Sequence, residues 1–205
     1  IEVKDENPII ECQNISVVLD EDGTATIIPQ DIVTNFEASD GDTLDQSGTF
    51  APENIDDVDT QISLGDDQVS TGLSLGFDFN FYGTDYTAFK ISSNGYLSFS
   101  ENFNSGCCSG QTLPNSNLPN NLIALGWTDL NPQNGGSISY ATIGSAPNRI
   151  LIVQFGNMKH YGDSSRTVTS QIKLFEGSNH LEIHSETVEG NSMTQGIENT
   201  DGSMA

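Results

Sequence analysis

Two groups of closely spaced aspartates could supply the carboxylate oxygens that calcium prefers. They lie in the acidic N-terminal third of the chain and consist of Asp40, Asp42 and Asp45, and of Asp56, Asp57 and Asp59. Calcium takes about six to eight oxygen ligands, and short acidic loops often provide several of them. We therefore predict these six aspartates as metal ligands, with calcium as the cofactor. Solubility in salty surroundings is the alternative explanation of the same acidity.

A second candidate site surrounds Trp127, the only tryptophan, which precedes Asp129 and Asn131 in GWTDLNPQNGG. An indole ring can stack on the apolar face of a sugar while carboxylate and amide groups bind the sugar hydroxyls. These three residues are therefore a candidate glycan site. The competing interpretation is that Trp127 ends a buried strand, because the preceding residues in LIALGW are continuously apolar.

A pair of adjacent cysteines, Cys107 and Cys108, lies in the Gly/Ser loop NSGCCSGQ, and Cys12 is the third cysteine. Neighbouring Cα atoms are about 3.8 Å apart, below the usual disulfide range, so a bond within the pair is strained. Such a bond could hold the loop in a binding shape. An ordinary disulfide to Cys12, or to a cysteine of a longer polypeptide, is the alternative. Cys107 and Cys108 are therefore candidate ligand-binding residues.

Motifs of catalysis are missing from the sequence: it has no nucleophile elbow, no HExxH and no phosphate-cradling loop. Carboxylate pairs are plentiful, but spacing alone does not define an acid/base pair. His180, Glu182 and His184 share one face of a predicted strand and could bind a transition metal, although such a face is more often solvated. The sequence therefore predicts a protein that is not an enzyme.

The net charge is extreme, at −23, and 18 of the 29 acidic residues lie within residues 1–70. Such a charge argues against nucleic acid and anionic lipid as partners. No apolar run reaches the length of about 18 residues that a membrane helix needs, so membrane insertion is not expected.

The densest aromatic stretch runs from Phe77 to Ser100 and predicts two strands joined at Asn94-Gly95. Asn-Gly favours a type I′ hairpin turn, whose two central residues need positive φ. After the turn, polar positions alternate with Leu97 and Phe99, which predicts one buried face and one wetter face. The polar positions are Tyr96, Ser98 and Ser100.

Short alternating strands separated by Gly, Asn and Pro turns continue to the C-terminus, and no segment has a convincing helical period. We therefore predict an all-β protein, an antiparallel β-sandwich of jelly-roll or immunoglobulin-like type without significant helix. Residues 1–35 are predicted as an inter-domain connector or first strand pair, 36–70 as an acidic loop or linker, and 71–205 as the sandwich.

Two parts of the chain resemble known families. Residues 3–20, with Val3, Pro8, Cys12 and NISVVLD, resemble the opening of a hyalin-type immunoglobulin-like repeat. The stretches FNFYGTDYTAFKISSNGYLSF, GCCSGQTLPNSNLPNNLIALGWTDLNP and GIENTDG resemble nidogen-like β-sandwich modules of secreted, Bacteroidetes-type multidomain adhesins. This resemblance implies an extracellular, non-catalytic module, and it favours a disulfide within the Cys107-Cys108 pair.

The resulting hypothesis is a binding module of a secreted or bacterial cell-surface adhesin that recognises a glycan or another surface ligand, with calcium ordering the acidic third. The alternative is a structural stalk or filament-forming repeat, whose partners are neighbouring copies or domains joined through exposed strand edges.

Overall fold

A computed structural model describes residues 51–106, 108–190 and 193–205, together with the backbone of 9–12 and 33–37. The chain divides into two compact units, Ile1–Gly48 and Thr49–Ala205. In the first unit, β1 (Ile9–Cys12) pairs antiparallel with β2 (Val33–Glu37). Residues 51–70, grouped by sequence with the acidic linker, belong to the second unit and supply its first strand.

The second unit consists of two antiparallel sheets of five strands each, which confirms the predicted β-sandwich. The first sheet has the order β11-β10-β9-β8-β3 and contains β3 (Thr60–Gln61), β8 (Ser137–Ile143), β9 (Ile150–His160), β10 (Asp163–Phe175) and β11 (Leu181–Val188). The second has the order β12-β7-β6-β5-β4 and contains β4 (Leu73–Phe81), β5 (Thr84–Ser92), β6 (Tyr96–Ser98), β7 (Leu122–Trp127) and β12 (Thr194–Glu198).

Helical structure in the described residues is limited to one short 3-10 helix, η1 (Pro132–Asn134). Nothing helical in this part of the chain has the length and apolar character needed to cross a membrane.

The main core lies between the two sheets and is built from alternate strand residues. Phe89 and Leu97 of the second sheet and Val153 and Phe155 of the first are all buried within it. Each such side chain contributes about 1.5–3 kcal/mol of transfer free energy when it leaves water. The alternating pattern of the sequence therefore identifies the inward faces correctly.

The outer face of the second sheet is also buried, which the sequence did not predict. Residues 99–121 cross it, and Phe103 packs against Tyr96 with ring centroids 5.4 Å apart. The hydroxyl of Ser98 donates to the carbonyl oxygen of Asn120 at 3.0 Å. The predicted wetter face at Tyr96 and Ser98 is therefore wrong, because a long loop covers it.

The aromatic stretch forms three strands, and its turns differ from the prediction. Tyr82 and Gly83, between β4 and β5, have φ of 47° and 77°, as a type I′ turn requires. Between β5 and β6 only Gly95 has positive φ, at 84°, in the three-residue loop that starts at Ser93. The type I′ prediction for Asn94-Gly95 is wrong, because the loop has three residues and Asn94 does not adopt positive φ.

Candidate functional site

Trp127 is fully buried and packs on Tyr96 with ring centroids 4.6 Å apart, beneath the loop that crosses the second sheet. Its ring face is therefore unavailable to a sugar, and the interpretation of Trp127 as a core residue is the correct one. Asn131 is buried too, and its side-chain oxygen accepts a hydrogen bond from the backbone of Gln133 at 2.8 Å, which caps η1. The predicted stacking site does not form.

Of the six aspartates predicted to bind calcium, the structure describes only three. Asp40, Asp42 and Asp45 lie outside the described residues. Asp56 and Asp57 are exposed, and Asp59 accepts a hydrogen bond from the side chain of Gln61 at 2.5 Å. Within the described part of the chain, Asp56, Asp57 and Asp59 do not bring their carboxylates together. The structure therefore gives no support to a metal site at these three residues, although they lie close together in sequence.

Three other carboxylates do converge, and we call Asp66, Asp67 and Asp129 the acidic cluster. One oxygen from each lies within 4.8 Å of the other two, and all three residues are half-buried. Asp66 and Asp67 precede the bridge between Val69 and Ser92, whereas Asp129 follows β7. Asp129 was a sequence candidate. Asp66 and Asp67 were missed, because no local pattern in LGDDQV connects them to a residue so distant in the chain.

The electrostatic surroundings of Asp66 and Asp129 raise the pKa of both carboxyls when no cation is present. Burial raises the pKa of Asp129, and the negative charges of Asp67 and Asp66 raise it further. Burial also raises the pKa of Asp66, with Asp67 adding to the effect. The carboxylates of Asp66 and Asp129 thus lie where negative charge is unfavourable.

The loop that contains the cysteines lies beside the acidic cluster. The Sγ atom of Cys108 is 3.7 Å from Oδ2 of Asp67, and the N–H of Gly106 donates to the backbone oxygen of Asp67 at 3.1 Å. Cys108 is disulfide-bonded. Cys107 lies outside the described residues, so the pairing within Cys107-Cys108 stays a prediction. The structure thus brings Cys108 and Asp129, two sequence candidates, to the same region.

A separate groove of about 760 Å³ lies beside β5, between residues 99–105 and 118–121. Its lining combines aromatic rings with amide and hydroxyl groups. The lining residues include Tyr86, Phe99, Asn121, Asp85, Glu101 and Leu118. Among the described residues, no lysine or arginine lines it. We call this feature the groove.

Aromatic stacking and one amide hold the floor of the groove. Tyr86 is half-buried and stacks on Phe99, with ring centroids 4.8 Å apart and an angle of 21° between the rings. The side-chain N–H of Asn121 donates to the Tyr86 hydroxyl at 3.0 Å. The backbone oxygen of Asn121 accepts from the N–H of Phe99 at 2.9 Å. The exposed part of the Tyr86 ring is therefore held in a fixed orientation.

One wall of the groove is fastened from within by Lys90. Its ammonium group donates to the backbone oxygens of Glu101 at 2.7 Å and Phe103 at 2.9 Å, and to the side chain of Asn104 at 3.2 Å. The ammonium group of Lys90 therefore bonds to acceptors within residues 101–104. The sequence analysis missed this groove, because Tyr86 and Asn121 belong to segments that meet only in the folded sandwich.

Comparison with known proteins gives one match. A family model described as NIDO related matches residues 42–205. No curated protein and no solved structure matches the chain.

Proposed function

Since the chain belongs to the NIDO-related family, a nidogen-like, extracellular and non-enzymatic type of module, we propose that it serves a bacterial surface adhesin as a glycan-binding module. The groove beside Tyr86 carries this proposal. Its lining joins an oriented aromatic ring to amide and hydroxyl groups, which is the chemistry that binds a sugar.

The proposed glycan is electrically neutral. Asp85 and Glu101 line the groove, and the only described base close to its wall, Lys90, is bonded within the loop. A uronic or sulfated sugar would meet carboxylates there without a compensating cation. The net charge of −23 likewise disfavours the binding of a negatively charged sugar. A neutral oligosaccharide can instead lay a sugar face on Tyr86 and exchange hydrogen bonds with the side-chain amides.

The alternative, a filament-forming repeat, has less support at the edge of β4. Side chains occupy backbone groups of this edge that a neighbouring strand would use: Thr142 donates to the oxygen of Leu75 at 2.8 Å, and Asn179 accepts from the N–H of Asn80 at 2.9 Å. Arg149 also donates to the oxygen of Gly76. Occupied edges of this kind hinder strand addition. Ligand binding therefore remains the function that the geometry favours.

The test titrates the chain with mannotriose, cellotriose and chitotriose, and with trigalacturonic acid as the charged comparison. Binding is followed by calorimetry, and its location by NMR shift changes of assigned amides. We expect a neutral trisaccharide to shift amides around Tyr86 and Asn121, and trigalacturonic acid to bind more weakly. Tyr86→Ala should weaken binding roughly tenfold or more, because the stacking surface is lost.

The matched control is Tyr161→Ala, which removes a tyrosine that is 59% exposed and does not line the groove. It should bind the same sugar as the wild type does. Equal binding by Tyr86→Ala, tighter binding of the acidic sugar, or shifts confined to another surface would each refute the proposal. The same would hold if none of the three neutral sugars bound.

A further inference from the structure

The acidic cluster lies apart from the groove and has no cationic partner in the described chain. The ion pairs of Arg149, Arg166 and Lys173 are made with other carboxylates. Three carboxylates within 4.8 Å repel one another unless a positive charge or protons intervene. No lysine or arginine of the described residues offsets this negative charge through an ion pair, and His160 is a nearby group whose positive charge would lower the pKa of the Asp129 carboxyl.

Two buried polar atoms at the cluster also lack a partner. Oδ1 of Asp66 is buried and accepts no hydrogen bond. His160 is only 7% exposed, and its Nε2 has no partner either. His160 pairs through its backbone with Leu130, the residue after Asp129, and its charge acts on the Asp129 carboxyl. Buried polar groups are usually paired, so the unpaired oxygen of Asp66 is available to a bound cation or to water.

The Asp67 carboxylate and the segment that follows Asp129 are already held in place by Asn94, without a bound ion. The side-chain amide of Asn94 donates to Oδ1 of Asp67 at 2.8 Å, and its oxygen accepts from the N–H of Leu130 at 2.7 Å. Asn94 is itself fully buried. One side chain therefore connects the two segments that carry the acidic cluster, so little ordering would be needed when an ion binds.

We propose that Asp66, Asp67 and Asp129 bind one calcium ion. Carboxylate oxygens are the ligands that this hard cation prefers, and the three residues remain partly exposed, so water can complete the coordination shell. The calcium site thus lies at different residues from those that loop spacing indicated.

Bound calcium would join two segments that are distant in sequence but adjacent in the fold: the turn containing Asp66 and Asp67, and the segment after β7 that contains Asp129. The cysteine loop would be stabilised indirectly, because Cys108 contacts Asp67. Its role is structural, because the ion cancels repulsion among groups that the fold has already brought together. The inference goes beyond glycan binding and does not depend on it.

The test uses the full chain after removal of metal, with calcium calorimetry, thermal unfolding and terbium luminescence. Terbium replaces calcium and is excited through nearby aromatic rings, and Trp127, the only tryptophan, is two residues from Asp129. We expect calcium to raise the melting temperature and to compete with terbium. Asp129→Asn should weaken calcium binding roughly tenfold or more, since ligand charge sets affinity in such sites.

A sign reversal distinguishes a cation site from simple loss of stability. Without metal, Asp129→Asn should melt at a higher temperature than the wild type, because one repelling charge is gone. With saturating calcium it should melt at a lower temperature. Asp56→Asn, at an exposed aspartate outside the acidic cluster, should follow the wild type in both conditions.

A combined Asp40→Asn, Asp42→Asn and Asp45→Asn variant controls for calcium bound in the N-terminal acidic region and should keep the Trp127-sensitised signal. Unchanged calcium binding in Asp129→Asn would overturn the proposal, as would the absence of any calcium effect on the wild type. Preference for zinc over calcium, lost in His160→Gln, would also overturn it, because a nitrogen ligand would then define the site.

Discussion

The side chain of Asn94 bonds to Asp67, with 2.8 Å between Nδ2 and Oδ1, although the two residues lie in different loops. The same Nδ2 donates to the backbone oxygen of Gly106 at 2.6 Å, while Oδ1 accepts from the N–H of Leu130 at 2.7 Å. A single turn residue therefore satisfies polar groups of three other segments. It replaces the backbone pairing that these irregular loops cannot make.

Asn94→Ala is expected to lower the free energy of unfolding by about 2–3 kcal/mol, because it leaves the buried N–H of Leu130 unpaired and removes one hydrogen-bond donor each from Gly106 and Asp67. Urea unfolding followed by fluorescence measures the change. Asn102→Ala, at an exposed asparagine, should stay within about 0.5 kcal/mol of the wild type. A loss no larger for Asn94→Ala than for this control would contradict the role assigned to Asn94.

Two glycines with similar backbone angles should respond differently to substitution. Gly95 and Gly83 both have positive φ, at 84° and 77°, so alanine costs about 1 kcal/mol or more at either position. At Gly95 a Cβ would also lie 2.6 Å from the backbone oxygen of Gly126, whereas at Gly83 nothing lies within 4 Å. Gly95→Ala should therefore lower the melting temperature clearly more than Gly83→Ala does. Equal effects would show that the turn at Gly95 is less constrained than the structure indicates.

Replacement of Trp127 tests whether it is a core residue or a ligand-binding one. Trp127→Ala should cost about 3–5 kcal/mol of stability, because it leaves a cavity beneath residues 99–121. Trp127→Phe should cost less, since it keeps an aromatic ring and removes an indole N–H that is buried without a partner. Chemical denaturation measures both, and the phenylalanine variant should retain sugar binding at the groove. Loss of sugar binding by a stably folded Trp127→Phe would restore Trp127 as a ligand-binding residue.

Acid should remove the contribution that the ion pair between Arg149 and Glu176 makes to folding stability. Hydrogen bonds from Arg149 lower the pKa of Glu176 from 4.5 to about 2. Because the folded-state pKa lies below the unfolded value, the stabilisation is present above pH 4.5 and is lost as the pH falls through about 2. Denaturation of the wild type and Glu176→Gln between these pH values should give curves that converge towards the acid end. Glu186→Gln, at an exposed carboxylate of β11, is the matched control and should run parallel to the wild type.

The sequence predicted the parts of the fold that depend on local pattern. Alternation of apolar residues after the Asn94-Gly95 turn placed Leu97 and Phe99 on the inward face, and the Gly-rich separators correctly indicated turns. The apolar run LIALGW correctly favoured a buried Trp127. These features follow from the two-residue period of a strand and from the φ angles open to glycine, which are properties of neighbouring residues.

The sequence by itself thus determined the fold class, most of the strands after residue 70 and the strongly acidic character of the chain. Only the tertiary structure decided which acids meet, which face of the second sheet is covered, and where an oriented aromatic ring remains accessible. Asp129 approaches Asp66 and Asp67, and Tyr86 meets Asn121, because strands distant in sequence become neighbours when the sheets assemble. Such contacts depend on the path that long loops take through space. Sequence periodicity reports only on neighbouring residues and therefore does not predict them.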